Sequence, residues 1–141
     1  MANAERVEIF DAPIENVFQV ISNYESYPEF MDGVKSVKII SKKGESTTAE
    51  YNIDIIKKFT YVLELTEKKN EALTWTFVSG DIFKKNNGGW YLKDLGNGKT
   101  EVTYKVDVDF KMMVPGMISK KLIASNLPSM MKQVNLRAKN L

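Results

Sequence analysis

The feature that most constrains this chain is the two-residue period of its hydrophobic pattern between residues 33 and 110. Apolar and polar residues alternate in successive short runs, and turn residues such as Gly96-Asn97-Gly98 separate the runs. One-sided alternation is typical of antiparallel strands that cover a core with one face and meet solvent with the other. We therefore expect a curved antiparallel sheet of six or seven strands. Gly88 and Gly89 fall inside one run and predict a β-bulge there.

The residues before this region predict one strand followed by two short helices. Val7 and Ile9 alternate with polar residues, which indicates a first strand. Asp11 is a candidate helix N-cap, and Pro13 suits the first helical turn because its missing N–H has no helical partner to lose. An apolar helical face follows at Ile14, Val17, Phe18 and Ile21. A second short helix is expected to open at Pro28.

The C-terminal residues 114–141 have the pattern of a long helix with one apolar face. The apolar stripe contains Val114, Met117, Ile118, Leu122, Leu127, Met130, Met131, Val134, Ala138 and Leu141. Pro128 interrupts the pattern and would cost about 3 kcal/mol in a helix interior, so we expect two helical pieces or one bent helix. This segment alone is long enough to cover the sheet. The prediction is an α+β fold, in one domain of residues 1–141, whose sheet wraps around this helix.

The composition excludes several classes of site. The chain contains no Cys and no His, which removes disulfides, thiolate and imidazole metal ligands, and a Ser-His-Asp triad. We predict no catalytic residue, no metal and no cofactor. The 20 basic and 18 acidic residues give a net charge of +2, which does not indicate DNA binding. The N-terminus lacks a signal-peptide pattern and no apolar run reaches about 18 residues, so we expect a soluble cytoplasmic protein.

The side chains predicted to face the interior of the sheet are unusually large. They include several tyrosines, both tryptophans and many phenylalanines and methionines. With a single helix over a wide curved sheet, these side chains either fill the core at native density or surround a ligand-sized cavity. The residues alone leave both possibilities open.

Three segments resemble a known family. The first is residues 11–30, which begin DAP and end YPEF; the second is residues 80–90, GDIFKKNNGGW; the third combines residues 106–110, VDVDF, with residues 137–139, RAK. Together they resemble the coenzyme-Q-binding, START-like family of helix-grip proteins (polyketide cyclase/dehydrase and lipid transport), which includes the bacterial ribosome-association toxin. The chain departs from the family pattern at Asp32-Gly33, where a Pro is usual, at Asn86-Asn87, and at Pro128.

The resemblance implies a hydrophobic tunnel between the sheet and the last helix, and it favours a cavity over a filled core. The lining expected on this basis is Tyr27, Phe30, Tyr51, Ile53, Phe59, Tyr61, Leu63, Trp75, Phe77, Trp90, Tyr104, Val106, Phe110, Met113, Met117, Ile118, Leu122, Met130 and Met131. Family members bind isoprenoid quinones or other lipids, which implies a non-enzymatic carrier of such a ligand. An isoprenoid tail would gain about 0.8 kcal/mol for each CH₂ removed from water.

Two other functions remain open. Ribosome binding, which the toxin relative implies, needs clustered basic residues that neutralise phosphates, although paired surface lysines also serve solubility. The pairs are Lys42-Lys43, Lys57-Lys58, Lys68-Lys69, Lys84-Lys85 and Lys120-Lys121. An aromatase or cyclase would need a carboxylate or tyrosine inside the cavity. The strand carboxylates fall on outward positions, which favours a protein without enzymatic activity: Glu50, Asp54, Glu64, Asp107 and Asp109.

Transient contact with a membrane surface is a further expectation. An apolar cluster lies close to three lysines: Met112, Met113, Val114 and Met117 stand near Lys111, Lys120 and Lys121. Apolar side chains flanked by lysines suit shallow insertion into a bilayer surface. The predicted location is therefore the cytoplasm, with peripheral contact at the inner membrane surface.

Overall fold

Seven antiparallel strands form one curved sheet in the computed structural model, which describes residues 2–31, 33–55, 57–111, 114–116 and 127–141. In chain order the elements are β1 (Ala2–Phe10), α1 (Ile14–Ser22), a 3₁₀ helix (Tyr24–Glu29), β2 (Val34–Lys43), β3 (Ser46–Ile55), β4 (Lys57–Lys68), β5 (Ala72–Gly80), β6 (Phe83–Gly96), β7 (Lys99–Phe110) and α2 (Leu127–Lys139). The predicted α+β class is confirmed, with two short helices after the first strand.

The strand order across the sheet is β1-β7-β6-β5-β4-β3-β2. Strands β2 to β7 pair with their neighbours in sequence through short turns. The turn residues Gly44, Asn70 and Asn97 have positive φ angles, which glycine and asparagine adopt most easily. Because β1 pairs with β7 and β2 lies at the opposite edge, α1 and the 3₁₀ helix cross from one edge of the sheet to the other.

The N-terminal helices begin at other residues than the sequence predicted. Asp11 is not the N-cap of α1; the cap is Pro13, whose carbonyl oxygen accepts hydrogen bonds from the amides of Asn16 and Val17. Asp11 instead donates its backbone N–H to Asn135 Oδ1 on α2, 3.1 Å away. The second helix starts at Tyr24 and not at Pro28. The predicted apolar face of α1 is confirmed, since Val17, Phe18 and Ile21 are buried.

The described C-terminal helix has 13 residues, Leu127–Lys139, and is shorter than the helix predicted for residues 114–141. Pro128 is the second residue of this described stretch. The apolar stripe is confirmed for Leu127, Met131, Val134 and Ala138, which are buried. Leu141 is 59% exposed and lies outside the stripe. Met117, Ile118 and Leu122 lie outside the described residues. No helix in the described ranges is long and apolar enough to cross a membrane.

The predicted bulge at Gly88 and Gly89 is wrong. Strand β6 keeps an unbroken register with β7 from Asn86 to Asp94, and its register shifts lie outside that range. The reason for glycine at 88 is close packing: a Cβ there would lie 2.3 Å from the Lys105 carbonyl oxygen and 2.7 Å from Trp75 Cζ2. Any side chain would therefore displace either the neighbouring strand or the indole.

Two apolar residues of β1 face solvent. Val7 and Ile9 are 52% and 58% exposed on the convex face. Arg6 and Glu8 alternate with them and face the concave side, because Arg6 pairs with Tyr104, Glu8 pairs with Val102, and directly opposite residues share a face. Since β1 is an edge strand, its inward positions tolerate charge. The alternation therefore predicted the strand without telling which of its faces meets the core.

Candidate ligand-binding site

A cavity of about 80 Å³ lies on the concave face of the sheet. Its lining consists of Tyr27, Met31, Val34, Tyr51, Tyr61, Leu63, Leu65, Trp75, Asn86, Trp90, Tyr104 and Val106. Six of the seven strands, β2 to β7, and the 3₁₀ helix contribute side chains. The lining therefore depends on long-range pairing across the sheet and not on one local motif.

Aromatic rings form most of the cavity wall. Tyr51 and Tyr61 stack with ring centroids 5.2 Å apart and planes 7° apart, because they are directly opposite each other on β3 and β4. On the other side, Tyr104 of β7 contacts Trp90 edge-to-face at 4.9 Å and Trp75 at 5.7 Å. Such pairs hold rings in fixed orientations. The cavity is thus bounded by two aromatic groups that face each other across the curved sheet.

The tyrosine hydroxyls at the cavity differ in their partners. Tyr27 donates its hydroxyl hydrogen to the backbone carbonyl oxygen of Ile21. Within the described residues, the hydroxyls of Tyr51, Tyr61 and Tyr104 have no hydrogen-bond partner. Burial raises the pKa of each of these three phenols above its ordinary value. They are therefore neutral, and each can donate or accept a hydrogen bond inside the cavity.

Asn86 is a polar cavity residue that the sequence did not single out as one. Strand β5 pairs with β6 only as far as Trp75 and Gly88, and beyond that point the two strands separate. Two amide side chains bridge the separation. Trp75 Nε1 donates to Asn86 Oδ1 at 3.1 Å, and the Phe77 amide donates to Asn87 Oδ1 at 3.3 Å. The asparagine pair that departs from the family pattern therefore fixes the position of a cavity-lining indole.

Among the predicted lining residues, eight border this cavity: Tyr27, Tyr51, Tyr61, Leu63, Trp75, Trp90, Tyr104 and Val106. Ile53 and Met131 are buried in the core, and Met130 packs against it, without bordering the cavity. Phe30 is buried beside Tyr27 without bordering the cavity, and the Arg137 guanidinium stands 5.0 Å from its ring. Met113, Met117, Ile118 and Leu122 lie outside the described residues.

Three predicted residues, Phe59, Phe77 and Phe110, are partly buried beyond the cavity. Phe83, which the sequence analysis missed, connects two of them to the cavity. Its ring stacks on Phe110 at 5.5 Å and contacts Phe77 edge-to-face at 6.2 Å, and it meets Tyr61 at 5.1 Å. The aromatic wall therefore continues from the cavity toward the end of β7.

The sequence matches the profile of a known protein family. The sequence profile described as "Polyketide cyclase / dehydrase and lipid transport" matches residues 10–134. The chain belongs to this family. The match includes β2 to β7 and the 3₁₀ helix, which contribute side chains to the cavity lining.

Known relatives and structures agree with this assignment. The ribosome association toxin RatA of Escherichia coli K12 is 24% identical over 142 residues, which cover 99% of this chain and 88% of the toxin. A START superfamily protein from Mycobacterium smegmatis superposes with a TM-score of 0.83 at 21% identity, over 98% of this chain and 97% of that one. The Zhui aromatase/cyclase from Streptomyces sp. R1128 superposes at 0.82 and 14% identity, over 99% and 94%. These structures show the fold.

Because the family contains proteins named as cyclases, the positions of carboxylates are informative. Asp54 and Glu64 are exposed, as predicted, and none of the described residues that border the cavity is an Asp or Glu. Asp107 is half-buried on the convex face, where Oδ2 accepts from Lys85 Nζ at 2.7 Å. Glu67, a residue the sequence analysis missed, accepts from the Tyr24 hydroxyl at 2.8 Å.

The described lysine pairs lie at two opposite ends of the sheet. Lys42-Lys43 and Lys68-Lys69 adjoin the β2–β3 and β4–β5 turns. Lys57-Lys58 and Lys84-Lys85 lie at the other end, where the Thr60 amide donates to Asp81. Lys120-Lys121 lies outside the described residues. The pairs therefore do not form one continuous basic surface in the described part of the chain.

The residues predicted to insert into a membrane are described only in part. Val114 is partly buried and packs against the core. Met112, Met113 and Met117 lie outside the described residues. Membrane contact stays a prediction.

Proposed function

We propose that this protein binds a hydrophobic small molecule of the lipid type, an isoprenoid quinone or another lipid, in the concave cavity and does not transform it. The observation that carries the proposal is a cavity lined by aromatic rings in a member of a family described by lipid transport. Apolar lining offers a ligand about 25 cal/mol for each Å² of apolar surface removed from water. No covalent chemistry is needed for that gain.

The chemistry of the cavity wall supports binding without reaction. Proton transfer needs a group whose pKa lies near the working pH. The titratable groups among the described lining residues are tyrosines, and burial raises the pKa of each one away from neutrality. These phenols suit recognition of a polar group better than removal of a proton.

The cavity volume sets which part of a lipid it holds. About 80 Å³ exceeds the roughly 30 Å³ that one water occupies in the liquid, but is below the roughly 150 Å³ of a cavity that holds benzene. In our proposal the cavity receives the polar end of the ligand. The apolar remainder lies along the partly buried rings of Phe77 and Phe110, which Phe83 joins to the cavity.

The first test is organic extraction of natively purified protein, followed by mass spectrometry of the released molecules. A matched pair of variants controls for adventitious lipid. Val106→Phe fills the cavity from β7, and Val7→Phe adds the same ring to the exposed face of β1. We expect a stoichiometric hydrophobic molecule from the wild type and from Val7→Phe, and its loss from Val106→Phe. If no preparation carries such a molecule and none takes up added decylubiquinone, the proposal is wrong.

A second candidate function is association with ribosomes, which similarity to RatA over 99% of the chain favours. Phosphate contacts would make binding fall steeply with salt. The test is co-sedimentation with ribosomal subunits at about 50 and 200 mM salt. The paired variants Lys57→Glu/Lys58→Glu and Lys42→Glu/Lys43→Glu carry the same charge change at opposite ends of the sheet. Loss of binding in one pair alone would locate the surface, whereas absence of co-sedimentation at low salt would reject this function.

A further inference from the structure

The two edges of the sheet differ in their protection against pairing with a further strand. Lysines and β-bulges are common devices that keep an edge strand from adding another strand. Strand β2 has both: its register with β3 shifts at two places, and it carries Lys35, Lys38, Lys42 and Lys43. Strand β1 contains neither Lys nor Pro and keeps an unbroken register with β7 from Ala2 to Phe10. The β1 edge therefore lacks the devices that protect the β2 edge.

The outer side of β1 is unpaired in the described part of the chain. Its backbone pairs with β7 on one side, and no backbone group of residues 2–10 bonds to any other described residue. The outward N–H and C=O groups of such a strand need water or another strand as partners. Val7 and Ile9, beside this edge, are more than half exposed. The edge therefore combines available hydrogen-bonding groups with apolar side chains.

The charges of β1 determine which register a second copy of the same strand can adopt. Opposite residues of an antiparallel pair share a face, so two identical strands pair around one central residue. A pair centred on Glu5, Arg6 or Glu8 places two like charges directly opposite each other. A pair centred on Val7 places Arg6 opposite Glu8 of the other copy, and symmetry makes this contact twice. Opposite charges stabilise such a pair and like charges destabilise it.

The register centred on Val7 also uses contacts that one chain cannot complete. Within one strand Arg6 Nε donates to the Glu8 carboxylate, and both side chains remain partly exposed. In the paired strands each Arg6 gains a second carboxylate, so two arginines and two glutamates alternate in one cluster. Networks of this kind contribute more than isolated surface ion pairs. On the convex face the two Val7 side chains meet and remove apolar surface from water.

We propose that two copies of this protein associate through β1, in an antiparallel pair centred on Val7, and form one sheet that continues across the dimer. The partner is a second copy because the charge pattern of β1 is complementary to itself in this register. The proposal is independent of ligand binding in the concave cavity, since β1 contributes no side chain to that lining.

Sedimentation velocity of the full-length protein measures the association. We expect a dimer that dissociates on dilution between about 300 and 1 µM, as is typical of a small interface. Arg6→Glu and Glu8→Arg each place like charges opposite each other at both symmetric contacts. Each should weaken dimerisation at least about tenfold. Lys42→Glu on the opposite edge strand, where Lys42 is exposed, is the matched control and should leave dimerisation unchanged.

Two rescue experiments test the register itself. An equimolar mixture of Arg6→Glu and Glu8→Arg chains restores opposite charges at both contacts of a mixed dimer. The double variant Arg6→Glu/Glu8→Arg restores them between identical chains. We expect both samples to dimerise at concentrations at which each single variant alone is monomeric. Misfolding of a single variant cannot produce this result, because the mixture contains only the two single variants.

Three outcomes would overturn the proposal. A wild-type protein that stays monomeric over the whole concentration range does not pair through β1, and its edge is left to water or to another protein. A dimer that neither charge reversal weakens forms through a different surface. A dimer that both reversals weaken, but that neither the mixture nor the double variant restores, does not have the register centred on Val7.

Discussion

Two groups of tyrosines in this protein lie in the core or pack against it, but they differ in hydrogen bonding. Tyr24 and Tyr27 belong to the 3₁₀ helix, and their hydroxyls donate to Glu67 and to the Ile21 carbonyl oxygen. Tyr51, Tyr61 and Tyr104 lie on central strands, and their hydroxyls have no partner among the described residues. Tyrosine side chains thus link the 3₁₀ helix to neighbouring elements in the first group and border the cavity in the second.

The difference teaches which hydroxyls stabilise the fold and which are available to a ligand. A hydroxyl with a protein partner contributes about 0.5–1.5 kcal/mol, and removing it leaves the partner without a hydrogen bond. A hydroxyl without a partner contributes no such term and retains part of its desolvation cost. A Tyr→Phe change should therefore reduce stability in the first group. In the second group the same change should reduce ligand binding and not stability.

The largest expected change in the free energy of unfolding comes from alkaline pH, and both groups of tyrosines contribute to it. Burial is the first cause that raises the pKa of all five residues: Tyr24, Tyr27, Tyr51, Tyr61 and Tyr104. In the unfolded chain each phenol ionises near pH 10. The folded state keeps these protons, so the stabilisation is complete below about pH 10 and is lost as pH rises toward the folded pKa values.

Each such tyrosine should lower the free energy of unfolding by about 1.4 kcal/mol per pH unit above pH 10, so five together cost several kcal/mol. Urea unfolding between pH 8 and 11.5 measures the free energy of unfolding, and phenolate absorbance at 295 nm measures the ionisation of the tyrosines. In the Tyr27→Phe variant the alkaline decline should be shallower by one such contribution. Phenols that ionise near pH 10 in the folded protein, with a flat stability profile, would contradict the burial of both groups.

The next largest change in the free energy of unfolding should come only from Tyr24 and Tyr27, whose hydroxyls have protein partners. Tyr27→Phe removes the donor to the Ile21 carbonyl oxygen, and Tyr24→Phe removes the donor to Glu67. We expect each change to lower the free energy of unfolding at pH 7 by about 1–3 kcal/mol. Equilibrium urea unfolding gives the values, and Tyr91→Phe on the convex face should stay within about 0.5 kcal/mol of the wild type. Wild-type stability in both variants would remove the distinction between the groups.

The positions of the cavity tyrosines were largely predictable, whereas their hydrogen bonding was not. Alternation assigns Tyr51, Tyr61 and Tyr104 to inward positions, because side chains of a strand alternate between faces. The same rule could not orient β1, where Val7 and Ile9 face solvent at the sheet edge. Whether a hydroxyl finds a partner depends on which backbone approaches it in three dimensions, and periodicity does not contain that information.

The role of Asn86 could not be predicted from the sequence either. In sequence, Asn86-Asn87 stands out only as a polar departure in a strand. Its importance arises because β5 and β6 stop pairing at Trp75 and Gly88, and beyond that point Asn86 Oδ1 bridges the two strands by accepting from the Trp75 indole N–H. A strand separation of this kind is set by contacts between distant segments. The glycine at 88 was visible in sequence, but its role in admitting the Trp75 ring was not.

The smallest expected change in stability comes from the cavity tyrosines, and it separates the two groups most clearly. Tyr61→Phe and Tyr104→Phe delete hydroxyls without a described partner and keep the rings that contact Phe83 and Trp90. We expect the free energy of unfolding in ligand-free protein to stay constant or rise by up to about 1 kcal/mol, because a poorly compensated desolvation cost disappears. Urea unfolding after removal of bound lipid measures this change. A loss above about 1.5 kcal/mol in either variant would show that the hydroxyl stabilises the fold, and the cavity tyrosines would then belong with Tyr24 and Tyr27.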